Sequence, residues 1–194
     1  LQMLRAPHEE RKASALADAL AAYLVDGVKV LEVNSGTGEC ASFLSHRFPG
    51  VIFQPSEKEP RLIHSIVAFV DASRLPNLRV PLFIDASRPL GSWALPGDYG
   101  VGSVQVVVIH QPVHLHSYLL PTLFMAAGSL LLPESGSLFL CLSFSIGSPP
   151  SEERERRWLE RREEATSLAE EVGLHLEKEH RGASLFIFSN KRRF

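Results

Sequence analysis

The chain has 194 residues, a formal net charge of −2 and 45% hydrophobic residues, a composition that suits one domain, residues 1–194, with a single substantial core. The near-neutral balance and a pI near 6.5 lack the strong basic excess of a nucleic-acid footprint, so no nucleic-acid partner is indicated. Two cysteines, Cys40 and Cys141, show neither metal-ligand spacing nor a disulfide framework, and the first residues lack the apolar core of a secretory leader; a reducing cytoplasmic setting is the default expectation.

Residues 8–24 are alanine-rich with Leu16, Leu20 and Leu24 at four-residue spacing, which predicts an opening amphipathic helix. Residues 28–33 predict the first strand. They run through Glu32 into Asn34, Ser35, Gly36, Thr37 and Gly38, and then into residues 39–48, where Phe43, Leu44 and Phe48 recur at helical spacing. Glycine at such a strand-to-helix turn permits positive φ and close approach of a ligand. The free N–H groups of the following helix attract a carboxylate or phosphate. Glu32 narrows the ligand, because an acid at the end of a buried strand is costly unless a cation or donor compensates it, and a ligand ammonium would do so.

A short second strand over residues 51–54 precedes Pro55, Ser56 and Glu57 and a helix marked by Ile63, Ile66, Val67 and Val70. A third strand covers residues 79–84 and ends at Asp85 and Ala86. Residues 104–109 are almost purely β-branched, as expected of a strand buried on both faces, and His110, Gln111 and Pro112 follow. Residues 119–132 predict a buried helix, since Pro121, Gly128 and Pro133 keep it short of the roughly 20 residues of a membrane span; no membrane partner is expected.

The turn Pro133, Glu134, Ser135 and Gly136 leads into a fifth strand over residues 137–144, and residues 147–150 break the chain. The charged run over residues 151–164 reads as the solvated face of a helix with i,i+4 pairs Glu152–Arg156 and Glu153–Arg157. Its buried stripe is Trp158, Ala165, Leu168, Ala169 and Val172. Residues 174–180 and 183–188 form a terminal antiparallel pair about Arg181 and Gly182. This order predicts an α/β domain with helices on both faces of a mostly parallel seven-stranded sheet that ends in an antiparallel hairpin.

Two ligand classes fit the glycine turn. Gly36-x-Gly38-x-x-Ala41 matches the dinucleotide pattern, with Glu57 about 20 residues on, while Glu32 favours the other class. The turn resembles the acid-x-Gly-x-Gly-x-Gly segment of class I S-adenosylmethionine-dependent methyltransferases, with Asn34 in place of the first glycine. The segments Glu10-Arg11-Lys12, residues 30–38, residues 53–57, Leu75-Pro76-Asn77, residues 81–85 and residues 123–128 further resemble, in order, the family of small methyltransferase-like proteins typified by methyltransferase-like protein twenty-six.

The resemblance implies a Rossmann-like class I fold that binds S-adenosyl-L-methionine and releases S-adenosyl-L-homocysteine. It implies Glu32 near the methionine ammonium and the backbone of Asn34, Ser35, Gly36, Thr37 and Gly38 around the carboxypropyl arm. Glu57 falls on the ribose hydroxyls, Asp85 with Ala86 on the adenine amino group, and His110 beside the methyl-transfer centre. Departures accompany the matches. Relatives carry an asparagine after the fourth strand and a histidine three residues later, where this chain has His110 and Val113, with His114 displaced by one. The polar insertion after the fifth strand is cut to Ser148-Pro149-Pro150, and the hairpin segment to residues 181–184.

His110, His114 and His116 do not make a metal motif, because Pro112 breaks their spacing and no acid or cysteine motif follows; no metal is expected. The expected function is methyl transfer to an unknown acceptor, with no catalytic base named. The alternative is a non-catalytic methyltransferase-like module that binds cofactor or a protein partner. A nicotinamide-dependent oxidoreductase is disfavoured by Glu32.

Overall fold

The computed structural model describes residues 1–111, 117–142 and 151–190. Its helices are α1 (Glu9–Leu20), α2 (Glu39–Arg47), α3 (Pro60–Ser73), α4 (Leu120–Leu130) and α5 (Glu152–Glu171). Its strands are β1 (Lys29–Val33), β2 (Ile52–Gln54), β3 (Ser56–Glu57), β4 (Leu82–Phe83), β5 (Val106–Gln111), β6 (Ser137–Leu142), β7 (His175–His180) and β8 (Leu185–Ser189). The main sheet runs β2-β1-β5-β6-β8-β7. It is parallel from β2 to β6, and β8 lies antiparallel to both β6 and β7.

The main sheet therefore has six strands where seven were expected. The seventh, β4, pairs in parallel with β3 in a separate two-stranded ladder, and two prolines explain the separation. Pro55 divides β2 from β3, and Pro81 has no N–H to give to a ladder. Arg79 N–H donates to Phe53 O, yet the next donor on that side is Leu82 N–H, to Pro55 O, three residues on rather than two. Past this slip the normal step resumes with Ile84 N–H to Glu57 O. Gln54 Nε2 caps the irregularity, donating to Pro55 O and Val80 O at 3.0 and 2.8 Å.

Strand alternation divides the interior into two layers. Leu31, Val33, Val107 and Ile109 pack toward α4 and α5, whereas Val30, Val106, Val108 and Phe139 pack toward α1 and α2. By the same alternation Glu32, His110 and Cys141 point toward α1 and α2. In α5 the Ser151 hydroxyl accepts Arg154 N–H at 3.2 Å as N-cap, and Trp158, Ala165 and Ala169 are buried as expected. Glu153 pairs with Arg157, while Arg156 takes Glu160 instead of the expected Glu152. No helix among the described residues is long and apolar enough to cross a membrane.

One polar side chain fastens the β2 edge. Asn77, 7% exposed, directs its amide nitrogen to Ser45 O, Phe48 O and Val51 O at 3.0, 3.1 and 3.0 Å, satisfying carbonyls at the end of α2 and its following turn. Replacing it with alanine strands these acceptors in the interior. Asn77→Ala is expected to cost about 2–3 kcal/mol, read as a lower midpoint in urea denaturation with unchanged slope.

Candidate functional site

The turn after β1 is built from left-handed backbone. Asn34, Gly36 and Gly38 have φ of 59°, 64° and 95°. Asparagine is among the few side chains that visit this region readily, so Asn34 meets the backbone requirement of this turn. Its side-chain amide also donates to His110 O at 3.2 Å, tying the turn to β5. At Gly38 the requirement is absolute, because an added Cβ would lie 2.9 Å from Ile66 Cα.

Serines hold the turn to the start of β3. Ser35 N–H donates to Ser56 O at 2.9 Å, Ser56 N–H donates to Ser35 Oγ at 3.0 Å, and Ser56 Oγ donates to Glu32 O at 2.5 Å. Gly36 N–H then donates to Glu57 Oε2 at 3.1 Å, while Glu57 Oε1 accepts Lys58 N–H at 2.9 Å. Glu57 Oε1 also accepts Glu59 N–H at 3.5 Å, so Glu57 is fixed at the mouth of the turn and its Oε2 keeps a further lone pair for a donor. The Thr37 carbonyl accepts Ser65 Oγ–H at 2.7 Å, tying the turn to α3.

Asp85 follows β4 and stands beside the Glu57 strand end. Its Oδ1 accepts Ser87 Oγ–H and N–H at 2.6 and 3.0 Å, and Lys58 Nζ is 3.5 Å away. The Ser87 hydroxyl above all, then the Ser87 amide, holds the Asp85 carboxyl below the usual range. Ala86 is buried at the same strand end. The expected rim of turn backbone, Glu57 and Asp85 with Ala86 is therefore gathered at the carboxyl ends of β1, β3 and β4, the side of an open α/β sheet where ligands bind.

Glu32 and His110 lie behind that rim. His110 belongs to β5 itself, because the strand runs two residues past the expected end. Glu32 is 0% exposed and His110 5%. His110 Nε2 and Glu32 Oε2 are 2.9 Å apart, so the imidazole supplies the compensation that the sequence left to a ligand ammonium. Burial and the Lys12 ammonium push the imidazole pKa down, but hydrogen bonding with Cys141 and Glu32 outweighs them and raises it to about 9. Burial, with the Glu32 carboxylate adding to it, pushes the Cys40 thiol well up.

Cys40, Cys141 and Lys12 were absent from the expected site. Local spacing carries no sign of them, since α2, β6 and α1 bring them from distant segments. The alternation of β6 does place Cys141 opposite His110, and that pattern was the available clue. The N-terminal residues are a second unexpected component: Ala6 N–H and the Arg5 guanidinium both donate to the Glu39 carboxylate, at 2.8 and 3.0 Å, and Leu4 N–H donates to Ser65 Oγ at 2.8 Å. Pro112, Val113, His114 and His116, and the breaker segment at residues 147–150, lie outside the described residues.

Known proteins sharpen the picture. A family model described as a protein of unknown function, DUF938, matches residues 3–181. Among solved structures, a protein of Galdieria sulphuraria provisionally assigned as a sarcosine dimethylglycine methyltransferase is 19% identical, with 88% of this chain and 62% of that one covered and a TM-score of 0.61. Precorrin-6y C5,15-methyltransferase of Geobacter metallireducens is 15% identical, covering 91% and 84%, TM-score 0.61. Geranyl diphosphate C-methyltransferase of Streptomyces coelicolor, solved with Mg2+, geranyl diphosphate and S-adenosyl-L-homocysteine, is 13% identical, covering 91% and 68%, TM-score 0.61. The chain spans less than two thirds of the first of these. At such identities the likeness establishes the fold, a Rossmann-like methyltransferase architecture.

Proposed function

The chain belongs to the DUF938 family of proteins of unknown function, and on that premise we propose that it is an S-adenosyl-L-methionine-dependent methyltransferase acting on an acceptor yet to be identified. The observation that carries the reading is the Glu57 carboxylate, clamped to Gly36 N–H at the mouth of a turn with three left-handed residues. Two fixed acceptor oxygens at a β-strand end suit the neighbouring hydroxyls of a ribose, and the left-handed backbone beside them lets a ligand arm approach without meeting a Cβ at Gly36. The ordered resemblance to the methyltransferase-like protein twenty-six family supports the same reading.

In this proposal the backbone of residues 34–38 receives the cofactor's carboxypropyl arm, Glu57 takes the ribose hydroxyls, and Asp85 with Ala86 borders the adenine. Glu32 and His110 lie behind the turn and form the floor that fixes it. The bound cofactor supplies an electrophilic methyl group on sulfur. The protein's contribution is to hold an acceptor nucleophile in line with that methyl, since positioning alone accounts for a large share of such rate enhancements. Acceptor choice belongs to loops that vary independently of the scaffold.

Titration calorimetry and thermal shift with S-adenosyl-L-methionine and S-adenosyl-L-homocysteine test the reading, with NAD and NADP as controls. Saturable binding of both sulfur ligands is expected, and binding of neither defeats it. Glu57→Gln should weaken both about 10- to 100-fold, the loss of about 1.4–2.8 kcal/mol of charge-assisted hydrogen bonding. Transfer of a labelled methyl group to protein, RNA or small-molecule pools then separates an enzyme from a module that only binds the cofactor.

A further inference from the structure

Behind the glycine turn, three side chains from three different elements converge without any sequence motif to announce them. Glu32 is the penultimate residue of β1, Cys40 sits in the first turn of α2, and His110 lies near the end of β5. One ligand-capable atom from each lies within 4.8 Å of the other two, and the residues are 0%, 1% and 5% exposed. We propose that Glu32, Cys40 and His110 form a buried binding site for a zinc-class divalent cation.

Unsatisfied chemistry points to a cation. Glu32 Oε1 is buried and has no hydrogen-bond partner, although buried polar atoms in folded proteins are overwhelmingly paired. The single contact between His110 Nε2 and Glu32 Oε2 leaves the other acceptor oxygen of the carboxylate unused. Lys12 is near enough for its charge to act on Glu32, Cys40 and Cys141, but among the described residues it pairs with Glu9 at 3.7 Å and leaves Glu32 Oε1 unpartnered. A metal ion would occupy what the lysine leaves open.

The donor set selects the metal class. One oxygen, one imidazole nitrogen and one sulfur match zinc and its cobalt surrogate, whereas magnesium and calcium take oxygen. Zinc bond lengths of about 2.0–2.3 Å place tetrahedral ligand atoms about 3.3–3.8 Å apart, so a cluster within 4.8 Å closes onto the ion with separations shortening by at most about 1.0–1.5 Å. Cys141, paired in register with His110 on the adjoining strand and 4% exposed, lies outside the three-residue cluster, so Cys40 is the sulfur ligand. Because the cluster is closed to solvent, the ion would enter during folding, when ligand binding and folding are coupled.

The proposal is independent of cofactor binding and is tested with Co2+ and Zn2+. Protein stripped with chelator is refolded from denaturant with and without one equivalent of Co2+, and the absorption spectrum is recorded. The expected result is stoichiometric uptake, a thiolate-to-cobalt charge-transfer band that Zn2+ bleaches, and a higher thermal midpoint with metal than without. Cys40→Ser should abolish the charge-transfer band or, if Cys141 alone supplies sulfur, leave it intact, and an intact band would overturn the assignment. Should that variant not fold, X-ray absorption on the wild-type zinc form decides. A first shell mixing sulfur with nitrogen and oxygen supports the site, and a shell without sulfur rejects it. If wild-type protein takes up no Co2+ by refolding, the metal site is refuted, while S-adenosyl-L-methionine binding by the same sample would leave the methyltransferase reading standing.

Discussion

Gly38→Ala is expected to lose cofactor binding altogether and to lower folding stability by about 2–4 kcal/mol. The first effect follows from the second. At φ 95° an alanine is strained before any neighbour is considered, and its Cβ would lie 2.9 Å from the α3 backbone at Ile66 Cα and 3.1 Å from Ile66 Cγ1. Backbone cannot rotate aside as a side chain can, so α2 and α3 must separate or the turn must reshape. Either outcome pulls Thr37 O away from Ser65 Oγ and Gly36 N–H away from Glu57, two of the bonds that set the turn against α3 and β3. Gly36→Ala provides the contrast. Its φ is 64° but nothing lies within 4 Å of an added Cβ, so the stability cost should be only about 1 kcal/mol. If a ligand arm runs over that backbone, Gly36→Ala will nevertheless bind S-adenosyl-L-homocysteine at least 10-fold more weakly. A Gly36→Ala protein with native affinity would show that the open space above Gly36 is not where the ligand sits.

Much of this architecture was legible because hydrophobic period and breakers agree along the chain. The β-branched run before His110, the Pro133–Gly136 turn and the terminal hairpin each carried one reading and took it. Misreadings arose where one atom outvoted a pattern. Pro81 removes a single N–H, and the third strand slips one residue against the second and leaves the main sheet. His110 looked like a post-strand loop residue because Pro112 followed it, yet the β5–β6 ladder extends through Gln111, carrying the imidazole into the interior beside Glu32. The turn and the acids Glu57 and Asp85 were visible because strand ends are local features. The company Glu32 keeps was not, since Cys40, Cys141 and Lys12 meet it only through the packing of α1 and α2 on the sheet.

The Glu32–His110 pair should show strong non-additivity when both partners are replaced. Glu32→Met leaves the His110 imidazole buried without its carboxylate partner, a loss that costs about 1–3 kcal/mol. His110→Leu strands the carboxylate in turn, with Lys12 as the nearest cation, and should cost a similar amount. The double variant Glu32→Met with His110→Leu removes both buried polar groups and fills the space with apolar volume on a face already lined by Val30, Val108 and Phe139. Replacing a buried pair with hydrophobic residues is often neutral or stabilising, so the double variant should recover at least half of the stability lost by either single one. Urea denaturation of all four proteins with chelator present, which removes any metal contribution, yields the coupling directly. A coupling below about 0.5 kcal/mol, the usual scatter of independent sites, would mean that the 2.9 Å contact contributes little to the fold. A double variant that recovers stability but fails to bind S-adenosyl-L-homocysteine would locate the purpose of the pair in the cradle above it, because the fold alone would then have no need of the two polar side chains.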